Sequence, residues 1–210
     1  MSAQPAKPFR IRVFSDYICP WCYIGLKRLE QLREAFDIEV DWQPYELHPE
    51  IPPGGMPIQG VFGGTPRAAA YFENLQQYAS GAGIDLRRPP VIANSHLALE
   101  AAEFARDHGR FEPYHLTLFH ACFEEARDIG DPGVLCELAG NCGLDGEALA
   151  EALRSKRYAS LVDQRTQEAH QQGISGTPSF IFDDRFTLLG AQEYRVFEDL
   201  AERMGAKRRT

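Results

Sequence analysis

Cys19 and Cys22 are the residues of this 210-residue chain whose type and spacing point most directly to chemistry. They are separated by Pro20 and Trp21, which gives a C-x-x-C motif. Residues three apart on a helix share a face, with Cβ atoms roughly 5–6 Å apart, and a disulfide needs a Cβ separation of about 3.8 Å. A small shift would therefore allow the two thiols to cycle between the dithiol and the disulfide.

The motif lies where a strand-like apolar run, residues 9–14, is followed by a helix-like run, residues 23–36. Proline suits the first turn of a helix, because its φ is preset and its missing N–H would be unpaired there anyway. Cys19 would then sit at the helix N-terminus, where unpaired N–H groups and the positive end of the dipole favour the thiolate. Cys22 would be more shielded. We assign Cys19 as the nucleophile and Cys22 as the resolving thiol, the arrangement of a thioredoxin-type redox motif.

The same two thiols could instead form half of a zinc site. Structural zinc needs four ligands, usually from a second C-x-x-C or paired histidines, and the nearest candidates for a second pair, Cys136 and Cys142, lie six positions apart. We therefore predict redox chemistry and no metal. Cys122, Cys136 and Cys142 are predicted to pack in the core as small apolar residues, with an accessory redox pair at Cys136 and Cys142 as the alternative.

Composition and charge exclude several classes of partner. The chain is 44% hydrophobic and 25% charged, as soluble globular proteins are. Its net charge of −8 disfavours nucleic acid or an anionic membrane as the main partner. Residues 1–12 hold no apolar stretch of signal-peptide length, and no segment approaches the roughly 20 apolar residues of a membrane span. We therefore expect a cytoplasmic protein whose cysteines are mostly reduced.

Hydrophobic periodicity predicts a first strand, an amphipathic helix and a second strand, which together form a parallel βαβ unit at residues 10–15, 23–36 and 38–42. A Pro- and Gly-rich loop, residues 47–64, follows. The next helices are predicted at residues 65–79, 96–106, 113–126, 131–143, 145–153 and 158–171.

The pattern then returns to two short strands joined by a hairpin and a last helix, at residues 179–182, 186–189 and 191–204. A βαβ half and a ββα half make one α/β domain. We predict that residues 1–64 and 173–210 form this domain, and that the helices of residues 65–172 are an insertion into it.

These residues resemble the DsbA superfamily of thiol–disulfide oxidoreductases. Within it the chain is most similar to the cytosolic FrnE-like branch, which is related to 2-hydroxychromene-2-carboxylate isomerase and kappa-class glutathione transferase. The resemblance covers nearly the whole chain and rests on residues 16–25, 45–49, 94–96, 127–131 and 176–180. It implies an α/β thioredoxin fold, βαβ…ββα, with a large all-helical insertion.

The resemblance also implies roles for residues around the cysteines. Pro178 would follow a cis peptide bond, which leaves the backbone of Thr177 free to bind an extended peptide or glutathione. Pro20 and Trp21 would form an apolar lip over the site. Asn94 and His96 could line the cleft between the two parts of the molecule. Without the resemblance, an alternative is equally favoured, in which Asn94 is a helix cap and His96 is solvated.

The isomerase and kappa-transferase relatives carry serine in place of Cys19 and bind glutathione without redox cycling. Both thiols are present here, so we expect disulfide exchange with protein or small-molecule thiols and disulfides. Glutathione is expected as a co-substrate rather than as a bound cofactor. Trp21 replaces the histidine of the strongly oxidising members, so it cannot supply an imidazolium, and a less oxidising potential is expected.

Two other functions stay open at this point. One is a glutathione-dependent isomerase or transferase, and the other is a redox-sensing protein that binds unfolded chains. The substrate, the direction of electron flow and the electron donor are not specified by the sequence. A homodimer is compatible with the resemblance, since dimers occur among the relatives.

Four further expectations concern charged residues. Asp16 could accept or relay a proton in the resolving step, or it could cap the turn or lie exposed at the surface, and we favour capping or exposure. Arg127 is expected to pair with an aspartate in the turn of residues 127–131. His120 is placed on the apolar stripe of its helix. The remaining histidines other than His96 are expected at the surface or in packing roles.

Overall fold

The computed structural model describes residues 8–57, 66–87 and 91–209. The expected loop at 47–64 and helix start at Thr65 fall partly outside these ranges. In chain order the strands are β1 (Phe9–Ser15), β2 (Phe36–Pro44), β3 (Met56–Pro57), β4 (Val91–Ile92), β5 (Ser179–Phe182), β6 (Phe186–Leu189) and β7 (Lys207–Arg208).

A five-stranded sheet in the order β6-β5-β1-β2-β7 organises the described part of the chain. β1 and β2 run parallel, and β5, β6 and β7 each run antiparallel to their neighbours. β3 and β4 form a separate antiparallel pair. On β1, Ile11 and Val13 are fully buried while Arg10 and Arg12 are half-buried, so the alternation in the sequence does mark the faces of this strand.

Eight helices are seen in the described ranges. They are α1 (Pro20–Ala35), α2 (Pro66–Gly81), α3 (His96–Asp107), α4 (Phe111–Phe123), α5 (Pro132–Asn141), α6 (Gly146–Arg154), α7 (Ala159–Gln171) and α8 (Tyr194–Met204). Helices α2 to α7 lie between β2 and β5 in the chain. This is the α/β thioredoxin arrangement with a helical insertion that the resemblance implied, and the fold prediction is confirmed.

Helix ends follow local chemistry. The Asp131 carboxylate accepts a hydrogen bond from the Gly133 N–H at 2.7 Å, so α5 begins one residue after its cap. The Asp145 carboxylate caps α6 in the same way. Two predicted ends were wrong. Phe36 is extended and starts β2 because it pairs with β7, and α4 stops at Phe123 rather than 126.

One hydrophobic core joins the sheet to the inserted helices. Ile11 and Val13 of β1 belong to the same buried cluster as Tyr23 of α1 and Phe119 of α4. The rings of Tyr23 and Phe119 stack with their centroids 5.4 Å apart. The insertion therefore packs directly against the helix that carries the two cysteines, and this contact fixes its position over the motif.

Candidate active site

Cys19 is the N-cap residue of α1, with an extended backbone (φ −91°, ψ 108°), and Pro20 occupies the first turn. The Cys22 N–H donates to the Cys19 carbonyl at 2.9 Å, and the Cys19 N–H donates to the Asp16 carbonyl at 3.2 Å. Both cysteines are free thiols. Cys19 is 4% exposed and Cys22 is 1% exposed. The helix thus starts at the motif, with Cys22 one turn inside.

The loop before β5 faces these cysteines. The Thr177–Pro178 peptide bond is cis, and the Cys19 Sγ lies 3.6 Å from the Thr177 carbonyl oxygen. Gly25 of α1 packs against the same loop so closely that a Cβ there would lie 2.7 Å from Phe180 Cζ and 3.4 Å from Pro178 Cγ. Glycine is therefore required at position 25 for α1 to approach the loop this closely.

The two thiols differ in acidity. Burial alone would raise the pKa of Cys19, but hydrogen-bond donors at Cys22 and Thr177 favour its thiolate and bring the pKa below its ordinary value. Burial and the neighbouring Cys19 sulfur hold the pKa of Cys22 well above its ordinary value. Of the two thiols, Cys19 is therefore the one that loses its proton more readily.

Asp16 is fully buried beneath the motif, so surface exposure is excluded, whereas the expected capping of the turn is seen at the Ile18 N–H. Its carboxylate accepts hydrogen bonds from the N–H of Leu47 at 2.7 Å and of Ile18 at 3.2 Å. Burial raises the pKa of Asp16 to about 6, and these hydrogen bonds only partly offset that effect. Asp16 is the last residue before the turn into α1, so it joins the motif to the loop that follows β2.

Cys19 opens onto a cavity of about 200 Å³. Pro20 and Thr177 line the cavity beside it, and the remaining walls are mostly apolar, formed by Trp21, Tyr71, Leu75, Leu86, Ile92 and Phe123. The Trp21 indole N–H donates to the Tyr71 hydroxyl at 3.0 Å. Trp21 thus lies against α2 and forms one apolar wall beside the reactive sulfur.

Two residues of this cavity were not expected there. Cys122 is buried, as predicted, but it also lines the cavity, and burial raises the pKa of its thiol. Arg127 also lines the cavity and pairs with Glu137 at 2.6 Å instead of with an aspartate. Cys122 lies on α4 and Arg127 in the turn after it, and tertiary packing brings both to the cavity.

Asn94 and His96 lie outside this cavity. The Asn94 amide donates to the Ile51 carbonyl at 2.6 Å and its oxygen accepts from the His96 N–H at 3.0 Å, which is the capping role. His96 Nδ1 lies 2.9 Å from Glu46 Oε2, and this contact raises the pKa of the imidazole. His96 is therefore paired and not simply solvated, and the structure does not bring either residue to Cys19.

The other cysteines and histidines named from the sequence lie in packing or surface positions. Cys136 and Cys142 are half-buried free thiols at the edge of the core. His115 is buried and its Nδ1 lies 2.7 Å from the Tyr17 hydroxyl, which is a packing role. His120 is exposed and lies 3.3 Å from Glu125, so its placement on the apolar stripe was wrong.

The DSBA-like thioredoxin domain family matches residues 10–202, and the chain belongs to this family. The uncharacterized protein YwbO of Bacillus subtilis is 31% identical over 191 residues, which cover 90% of this chain and 93% of that protein. The 2-hydroxychromene-2-carboxylate isomerase of Sphingobium xenophagum is 24% identical over 180 residues, which cover 83% of this chain and 89% of that enzyme. The resemblance to the DsbA superfamily is confirmed.

Solved structures agree with this assignment. A probable DsbA oxidoreductase from Streptomyces coelicolor is 29% identical and superposes with a TM-score of 0.85, covering 94% of this chain and 90% of that chain. The cytosolic disulfide reductase DsbM of Pseudomonas aeruginosa, solved with GSH, is 21% identical with a TM-score of 0.65, covering 92% of this chain and 99% of that chain. The second likeness concerns the fold alone.

Within the described ranges, the structure contains no helix that is both long and apolar enough to span a bilayer.

Proposed function

We propose that this protein is a thiol–disulfide oxidoreductase in which Cys19 attacks and Cys22 resolves. The observation that carries the proposal is the position of Cys19, at the N-cap of α1 and at the wall of a cavity, with a lowered pKa despite its burial. Membership of the DSBA-like family supports a thiol–disulfide enzyme at a general level.

The reaction proceeds by two sulfur exchanges. The Cys19 thiolate attacks one sulfur of a substrate disulfide, so that a Cys19–substrate disulfide forms, the substrate S–S bond breaks, and the leaving thiolate takes up a proton. Cys22 then loses its proton and attacks Cys19 Sγ, which forms the Cys19–Cys22 disulfide and releases the second substrate thiol. Two electrons pass from the protein to the substrate, and the reverse sequence oxidises a dithiol.

Asp16 is the proposed base for the second exchange. The raised pKa of Cys22 means that its proton must be removed before it can attack. The backbone N–H of Asp16 lowers the pKa of Cys22 in part, and the Asp16 carboxylate, with a pKa of about 6, is close to the value suited to proton transfer at neutral pH. The same buried carboxylate would return the proton when the reaction runs in reverse.

The cavity supports a substrate with an apolar group beside the reacting sulfur. Its walls near Cys19 are Trp21, Tyr71 and Leu75, and the Thr177 carbonyl faces the same sulfur, where an extended backbone could pair. Protein and small-molecule disulfides both meet these requirements. Two glutathione molecules would then reduce the Cys19–Cys22 disulfide and leave as oxidised glutathione. The GSH-bound neighbour supports glutathione as this co-substrate.

A reducing role in the cytoplasm is proposed for this exchange. Because Pro20 and Trp21 are both uncharged, the central dipeptide gives Cys19 no cationic neighbour. A redox titration against glutathione should therefore give a potential well below the roughly −120 mV of the strongly oxidising periplasmic enzyme. A value near that of the oxidant would contradict the proposed direction.

Mixed-disulfide trapping tests the mechanism. Cys22→Ser should accumulate a stable disulfide between Cys19 and a model substrate, because the resolving thiol is gone, and mass spectrometry would locate it. Cys142→Ser is the matched control and should accumulate none. If Cys22→Ser traps no substrate, the assignment of Cys19 and Cys22 is refuted.

Insulin reduction separates exchange from mere binding. Wild type should reduce insulin with glutathione present, and Cys19→Ser should be inactive. Equal binding of unfolded protein by both variants, with reduction by neither, would instead favour a protein that binds unfolded chains.

A second candidate is a glutathione-dependent isomerase, which is favoured by the similarity to 2-hydroxychromene-2-carboxylate isomerase and by the small apolar cavity. The discriminating variant is again Cys19→Ser. Isomerisation of 2-hydroxychromene-2-carboxylate that survives in this variant when glutathione is present would support the isomerase. Loss of both insulin reduction and isomerisation in Cys19→Ser would support disulfide exchange.

A further inference from the structure

A second cluster of reactive side chains lies outside the Cys19 cavity. Glu46 comes from the loop after β2, His96 is the first residue of α3, and Asp163 lies on α7. One potential ligand atom from each of the three lies within 4.8 Å of the other two. The three residues line one surface crevice. Because they come from three separate parts of the chain, no spacing in the sequence announces them.

Glu100 stands behind this cluster. It is 1% exposed, its Oε1 lies 3.6 Å from His96 Nε2, and its Oε2 has no hydrogen-bond partner among the described residues. Metal-ligating histidines commonly have a carboxylate beside their second ring nitrogen. The buried Glu100 places a carboxylate 3.6 Å from Nε2, while Nδ1 faces Glu46 at the crevice.

The charges of the cluster do not balance. Three carboxylates, Glu46, Glu100 and Asp163, surround one imidazole, so negative charge is in excess even when His96 is protonated. Lys156 acts on Glu100 but is not one of the residues that line the crevice. Glu46 and Glu100 are buried, and buried carboxylates held close to one another are costly without a cation.

We propose that Glu46, His96 and Asp163 bind a divalent cation of the first transition row. An imidazole nitrogen among carboxylate oxygens suits Mn²⁺ or Zn²⁺ better than Ca²⁺ or Mg²⁺, which favour oxygen ligands alone. Three protein ligands leave the remaining positions to water. The ligating nitrogen of His96 is Nδ1, which already lies 2.9 Å from Glu46 Oε2.

The site adjoins the redox motif without being part of it. Glu46 and Pro49 line the crevice, whereas Leu47 and His48 line the Cys19 cavity. The Leu47 N–H also binds the Asp16 carboxylate. A bound cation would therefore fix the segment that holds Asp16. The cation site itself does not depend on the proposed redox function.

Mn²⁺ titration followed by electron paramagnetic resonance tests the site, since Mn²⁺ prefers oxygen and nitrogen ligands and avoids the cysteines. Wild type should bind one Mn²⁺ per chain. Asp163→Asn, a change at an exposed residue that leaves the core intact, should weaken binding at least tenfold. Asp37→Asn, an exposed aspartate at the start of β2, is the matched control and should bind as wild type does.

Nuclear magnetic resonance gives a second reading in the wild-type protein. Bound Mn²⁺ should broaden the amide signals of Leu47 and Leu97 before those of other residues. Broadening centred elsewhere, absence of saturable binding, or equal affinity in Asp163→Asn and Asp37→Asn would each overturn the proposal.

Discussion

Two cysteine pairs in this molecule lie at opposite ends of their helices. Cys19 precedes α1 and Cys22 lies in its first turn, whereas Cys136 lies within α5 and Cys142 caps its C-terminus. The helix dipole favours a thiolate at the first position and disfavours one at the second. At Cys19, hydrogen-bond donors at Cys22 and Thr177 lower the pKa although the residue is buried.

The second pair is more exposed and yet less suited to reaction. Burial, with a smaller contribution from Asp131, raises the pKa of Cys136. Cys142 lies 3.3 Å from the Thr117 hydroxyl at the edge of the core. The comparison therefore links the lower thiol pKa to the hydrogen-bond donors around the sulfur and not to solvent exposure.

The largest effect is expected from the buried acid, which the first pair has and the second lacks. Asp16→Asn should slow release of substrate from the Cys19 mixed disulfide at least about a hundredfold, the range of general-base catalysis. Rapid acid quench and mass spectrometry would follow the decay. Asp131→Asn at the cap of α5 is the control, because asparagine caps as well as aspartate. Similar decay in both variants would contradict the role of Asp16.

Asp16 should also make stability depend on pH. Its pKa is about 6 in the folded state against 3.8 as the ordinary value, so the folded state binds more protons between these values and stability falls as pH rises through them. The loss is about 3 kcal/mol. Urea unfolding from pH 4 to 8 should show this decline in wild type and a smaller one in Asp16→Asn. Parallel curves would show that another group causes it.

Alkylation tests directly whether the pKa of a cysteine or its solvent exposure controls its reactivity. At pH 7 iodoacetamide should modify Cys19 at least about tenfold faster than Cys136 or Cys142, because a lower pKa gives a larger thiolate fraction. Cys122 should react only after unfolding. Peptide mapping would measure the rates. Faster labelling of Cys142 than of Cys19 would show that solvent exposure controls the alkylation rate, and it would contradict the prediction.

The smallest effect concerns one hydrogen-bond donor. Thr177→Val removes a hydroxyl that helps to lower the pKa of Cys19, so labelling of Cys19 at pH 7 should slow roughly threefold, as expected for the loss of one modest hydrogen bond. Thr117→Val removes the hydroxyl beside Cys142 and should leave Cys19 unchanged. Equal rates for Cys19 in the two variants would assign no role to Thr177.

Much of the fold could be predicted because its signals are local. Alternation marks β1, the C-x-x-C marks the start of α1, and Asp131 and Asp145 mark helix starts through their own side chains. The short strands β3, β4 and β7 could not be found in this way. Each has two residues, so pairing with a distant partner, and not an internal pattern, creates them.

The residues of the candidate site also separate into those with local sequence signals and those that depend on distant partners. Cys19, Cys22 and Thr177 stand in motifs, and the structure places them together. Asp16 looked like a surface cap because its burial depends on the loop that closes over it through Leu47. His96 looked solvated because its partners, Glu46 and Glu100, come from a distant loop and from the next turn of its own helix.

The contact between Gly25 and Phe180 has a consequence for variation near this motif. Phe180 is fully buried and its ring packs edge-on against Phe197, with the ring centroids 4.9 Å apart, so it has nowhere to retreat. A methyl group added at position 25 would push α1 and the loop of Thr177 apart. A substitution at Gly25 would therefore change the spacing between Cys19 and the Thr177 carbonyl without replacing either cysteine.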